Sequence, residues 1–135
     1  MTIHSGPKAL TEYVLYQSKH KANKRWIILL IQGILAGMYI AIGAIGSLKV
    51  AASVAHPGLG NFLGALVFPV GIIAIILMQA ELFTSDCMVM VAVYAGRTKV
   101  TRIIRILFLI IAANLLGAIT VAFLTQASGI FDESV

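Results

Sequence analysis

Apolar and polar positions divide the chain into a basic N-terminal segment and three long oily stretches. Within residues 8–22, Leu10, Tyr13, Val14 and Gln17 recur at helical spacing, with Lys8, Glu12 and Lys19 elsewhere on the wheel. That pattern suits either a short helix lying at the headgroups or a solvated basic tail. A first span is expected over 26–47, with Trp26 at the interface beside Lys24 and Arg25. Its small residues (Gly33, Ala36, Gly37, Ala41, Gly43, Ala44 and Gly46) predict a helix packed closely on others, because helices in lipid associate by contact rather than by escaping water. His56-Pro57-Gly58 reads as a turn, and His56 as a surface loop residue rather than a transport residue. A third span is expected over 100–125, with Arg102 and Arg105 at its start and Asn114 and Gly117 mid-span. Such an asparagine is read first as a hydrogen-bonding link to a neighbouring helix and second as a pore lining.

The middle stretch, Phe62 to Tyr94, breaks the pattern. Its only charges are Glu81 and Asp86, near its centre. One straight helix of that length would be roughly 50 Å long at 1.5 Å per residue, against a hydrocarbon core of about 30 Å. A charge at the bilayer centre costs at least about 2.5 kcal/mol. A broken second span over 62–95 resolves both conflicts: helix to about residue 80, a loop over 81–85, then a shorter helix. Reading the two pieces as separate crossings leaves the second too short to cross. Pro69 is expected to kink the first piece. Non-helical backbone at membrane depth survives only against protein or a water-filled cavity, so Glu81–Ser85 should face inward. Thr84, Ser85 and Asp86 are all residue types that cap helix N-termini. Glu81 and Asp86 are read as structural acids at the break: Asp86 as a cap, Glu81 as a group needing donors, a basic partner or a proton. The alternative is direct contact with a permeant.

Composition changes the picture only by fixing the class. Hydrophobic residues make up 60% of the chain and charged ones 11%, with a mean hydropathy of +1.00. The fold class is all-α transmembrane, a single membrane domain over 1–135. No signal-peptide pattern opens the chain. The lone Cys87 forms no internal disulfide. No catalytic constellation, metal-ligand spacing or phosphate loop can be read, so neither an enzyme nor a cofactor is expected. The net charge of +5 is concentrated before the first span and at 97–105. The positive-inside rule therefore places residues 1–25 and the 96–102 loop in the cytoplasm, and the 47–60 loop and C-terminus outside. Nothing aromatic interleaves the basic residues, and no nucleic-acid partner is expected.

The strings "FPVGI" (Phe68–Ile72), "AELFTSD" (Ala80–Asp86) and "ANLLGA" (Ala113–Ala118), with the small-residue first span, resemble the formate/nitrite transporter family of formate, nitrite and hydrosulfide channels. The resemblance covers nearly the whole chain. It implies pentamers of six-span, aquaporin-like protomers built as two inverted three-span repeats, of which this chain resembles the N-terminal one. By the same resemblance Phe68, Ile72, Leu82 and Phe83 match apolar pore constrictions, Ile72 standing where leucine is frequent. Thr84, with Ser85 beside it, matches the polar loop of the pore. The family's pore histidine and lysine belong to the second repeat and match no residue here.

The leading expectation is a component of a channel for small monovalent anions in the cell membrane, incomplete alone. It would work as a homo-oligomer or with a complementary second half. Two alternatives stay open: a small multidrug exporter carrying protons on Glu81, and an accessory subunit that does not transport.

Overall fold

The computed structural model describes residues 6–130 and contains seven α-helices and one 3₁₀ turn among them. Helix α1 (Pro7–Ala22) precedes the long α2 (Trp26–Ser53). Next come α3 (Pro57–Val67) and α4 (Pro69–Leu77). After a non-helical stretch at 78–82 the chain forms α5 (Phe83–Asp86), a 3₁₀ turn (Cys87–Met90) and α6 (Val91–Tyr94). It ends in α7 (Val100–Ala127).

Three helical stretches are long and apolar enough to cross a membrane: Trp26–Ser53, Pro57–Leu77 and Val100–Ala127. The fold is thus the three-span all-α class expected, with the second arm broken. That arm begins at Pro57, five positions before the expected start. His56 is not a passive loop residue, because its Nδ1 accepts the Leu59 N–H at 3.3 Å and caps α3, with Pro57 in the first turn. Pro69 cannot donate to the ladder, so α3 gives way to α4 at Phe68. The chain stays near helical geometry there (φ −50°, ψ −44°), and Gly71 N–H bonds back to Phe68 O at 3.2 Å. The result is a kink rather than a gap.

Glycines set the packing. Helices α3 and α4 run antiparallel to α2, with Gly60 on Ala51, Gly64 on Ser47, and Gly71 on Tyr39 and Gly43. Helix α7 runs parallel to α2 on another side. A Cβ on Gly37 would lie 2.0 Å from Asn114 O, and one on Gly117 2.0 Å from Ile34 O. The two helices therefore meet backbone to backbone, the close approach that small residues permit in lipid. Ala36, Ile110 and Ala113 are fully buried in this seam. The outer faces of all three arms expose large apolar side chains, among them Ile31, Phe62, Ile76, Phe108, Leu115 and Phe123. A bilayer or further protein is the natural solvent for such faces.

Candidate functional site

The site is built where the second arm stops being helical. Helix α4 ends in a Schellman motif: Gln79 N–H bonds Ile76 O at 3.2 Å, and Ala80 N–H bonds Ile75 O at 3.0 Å. That motif needs a left-handed residue, and Gln79 supplies it at φ 50°, the only non-glycine residue at positive φ among the described residues. Helix α2 then holds the freed strand from one side. Gln32 Nε2 donates to Gln79 O at 3.0 Å, and Glu81 N–H donates to Gln32 O at 3.2 Å.

Asn114, halfway along α7, holds it from the other side. Its Nδ2 donates to Glu81 O at 3.0 Å and to Gly33 O at 2.8 Å. Its Oδ1 accepts the Phe83 N–H at 2.9 Å. One side chain thus ties α2, the break and the start of α5 together, the linking role read first from the sequence.

The third wall is α1 and the short turn that follows it. Lys24 Nζ reaches Glu81 Oε1 at 2.7 Å and Gln32 Oε1 at 3.0 Å. Lys21 Nζ bridges Glu81 Oε2, at 2.6 Å, and Asp86 Oδ1. Glu81 and Asp86 are 3% and 1% exposed. Two cations meet two anions, so the cluster carries no net charge, the condition under which buried ions are tolerable. Asp86 Oδ2 has no hydrogen-bond partner among the described residues. Burial disfavours the charge on Lys21, but the Asp86 and Glu81 carboxylates outweigh it and hold its pKa above the usual 10.5.

These positions correct several expectations. The break lies at 78–82, not 81–85. Thr84 and Ser85 are in the single turn of α5 and are exposed rather than in the loop. No local side chain caps α5; Leu82 occupies the N-cap position, and Asn114, 31 residues on, accepts the first free N–H of that helix, from Phe83. Asp86 is likewise no cap but Lys21's partner. Glu81 does sit in the break, with basic partners.

The apolar residues matched by resemblance fall at two depths. Phe68 lies against Gly43 of α2, whereas Glu81, next to Leu82, bonds Gln32. Eleven residues of α2 separate these levels, roughly 16 Å at 1.5 Å per residue. Phe68 and Ile72 are 36% and 38% exposed, and Leu82 and Phe83 are half-buried. Lys21, Lys24, Gln32 and Gln79 were missed as site residues. The signal for the lysines was available: two acids in an oily run require cations, and the basic segment holds them.

The sequence profile described as "Formate/nitrite transporter" matches residues 8–135. A formate channel, FocA, of Haemophilus influenzae is 33% identical over 125 residues, covering 91% of this chain and 44% of that protein. The formate channel BtFdhC of Bacillus thuringiensis is 30% identical over 126 residues, 91% of this chain and 48% of its own length. A probable formate transporter of Methanothermobacter thermautotrophicus is 36% identical over 118 residues, 83% of this chain and 42% of its own. The chain spans a little under half the length of these relatives.

Proposed function

Since the chain belongs to the formate/nitrite transporter family, we propose that it contributes one three-span unit to a channel for small monovalent anions such as formate, nitrite or hydrosulfide. The observation that carries this reading is the pinned break: a polar, non-helical stretch between helices, with Thr84 and Ser85 hydroxyls exposed beside apolar Leu82 and Phe83. Phe68 and Ile72 would form one apolar constriction and Leu82 and Phe83 another, at the two depths described. Thr84 and Ser85 supply hydroxyl donors next to the second. Phe83–Tyr94 runs on as one short helical stretch, so the partial positive charge at its start adds to the attraction of the hydroxyls. An apolar constriction penalises a bare anion through lost hydration and penalises the neutral acid far less, so passage as the protonated species is favoured.

The exposed faces of Phe68 and Ile72 leave the pore wall to be completed by another protein surface. A complementary half or neighbouring subunits in a homo-oligomer would supply it, as the implied pentamer does. The N-terminus and 96–102 loop would be cytoplasmic, since Lys19, Arg97, Lys99 and Arg102 gather at one end of the bundle and Lys49 lies toward the other, on Ile130 O. Glu81 is engaged by two lysines, which argues against its serving as the mobile proton carrier of a drug exporter.

The test is formate and nitrite flux in vesicles reconstituted with the chain in the assembly in which it is isolated. Thr84→Val should lower flux about tenfold, the value of one hydrogen bond near 1.4 kcal/mol. Unchanged flux removes Thr84 from the pore. Vesicles that stay inert while the chain holds a second protein would favour the accessory-subunit reading.

A further inference from the structure

A second polar feature lies apart from the break. The ends of α1, α6 and α7 enclose a cavity of about 160 Å³ lined by Lys19, Asn23, Ala92, Arg97, Thr98 and Arg102. Three cations and no acid line it. The buried acids nearby are already taken, Glu81 by Lys21 and Lys24 and Asp86 by Lys21. Among the described residues the side chains of Lys19 and Arg97 have no ion-pair or hydrogen-bond partner, and Arg102 makes one long contact, Nη2 to Asn23 Oδ1 at 3.5 Å. Like charges brought around one hollow repel one another unless an anion sits between them. The first turn of the 28-residue α7 adds the positive end of its dipole.

The depth of this cavity is marked independently. Tyr94, which ends α6, is 87% exposed, and Trp26, which opens α2, is 64% exposed. Such residues are enriched at the membrane–water boundary. The cavity therefore opens at headgroup level, outside the apolar stretch of α7. Arginine forks match phosphate oxygens in pairs, and the Thr98 and Asn23 side chains can donate to the remaining ones. We propose that this cavity is a binding site for an anionic phosphate group, held by Lys19, Arg97 and Arg102, with Asn23 and Thr98 completing the shell. Two sources carry that chemistry, the headgroup of an anionic lipid and free inorganic phosphate.

The experiment is native mass spectrometry of the detergent-solubilised full chain. It is titrated separately with phosphatidylglycerol, phosphatidylcholine and inorganic phosphate. Stoichiometric adducts with phosphatidylglycerol, well above those with phosphatidylcholine, identify the lipid source; adducts with inorganic phosphate alone identify the free ion. Either is expected to weaken about 30-fold in Arg97→Gln/Arg102→Gln, at about fivefold for each cation near an anion. Lys19→Gln, which spares both arginines, is expected to weaken it about fivefold and guards against misfolding of the double variant. Lys8→Gln/Arg25→Gln removes the same charge elsewhere and should change binding less than twofold. Equal losses in the two double variants would mean diffuse attraction and overturn the site. Failure of both phosphatidylglycerol and inorganic phosphate to bind above the phosphatidylcholine background would do the same.

Discussion

Replacing Asn114 with leucine tests the central structural claim, because the side chain is nearly isosteric and only its polarity is lost. Gly37 meets the backbone of Asn114, not its side chain, so the approach of α2 to α7 should survive. Three hydrogen bonds vanish. Gly33 O lies inside α2, where the helix ladder supplies another donor. Phe83 N–H and Glu81 O have no such reserve. If both are buried from water, each orphan costs about 1–3 kcal/mol, giving about 2–6 kcal/mol in all. If water reaches the break, the loss falls to the average for a hydrogen bond between membrane helices, about 0.6 kcal/mol. Unfolding equilibrium in mixed micelles measures the difference. Hydrogen exchange at the Phe83 amide, expected to speed up by at least tenfold, locates it. A loss below about 1 kcal/mol with unchanged exchange would refute the claim that Asn114 pins the break in place.

Other perturbations follow from the same geometry. Gly37→Val and Gly117→Val each drive a Cβ into backbone at 2.0 Å and should cost more than about 3 kcal/mol or prevent folding, whereas Gly46→Ala, which meets only a Val67 methyl at 3.3 Å, should stay within about 1 kcal/mol in the same micelle assay. Gln79→Gly relieves a left-handed side-chain residue and should raise stability by about 0.5–1 kcal/mol, while Gln79→Val should lower it. Lys21→Met strands Asp86 and should cost about 3–5 kcal/mol, read as protease sensitivity of α1. Because the folded pKa of Lys21 is raised, its contribution is complete below the ordinary lysine pKa of 10.5 and is lost as pH rises through the higher folded value. Docking of α1 should therefore weaken above about pH 10.5 in the wild type, and the Lys21→Met variant should lack that step.

The three arms were legible because lipid imposes long apolar runs, and the break was legible because Glu81 and Asp86 cannot lie in one. Its exact position was not. Thr84, Ser85 and Asp86 advertise a local cap, and local signals are what sequence reading weighs. The structure satisfies Phe83 N–H from Asn114 instead, a contact that only tertiary packing creates. Gln79 gave no sign of left-handed geometry because glycine and asparagine are the residues that signal it. In the sequence Lys21 and Lys24 signal topology; their second duty depends on α1 and the turn after it folding back over residues 57 to 65 positions away. His56 looked like a turn residue and is one, yet its imidazole also caps α3.

The order of the charges along the chain has a consequence for biogenesis. During synthesis Lys21 and Lys24 emerge well before Glu81 and Asp86, so the cations must wait, unpaired, until the returning arm has threaded back. Throughout that interval a basic stub beside a nascent hairpin would be held at the water boundary, and only the arrival of the acids would let it dock. Assembly of the α1 clamp is thus set as a late event by chain order alone.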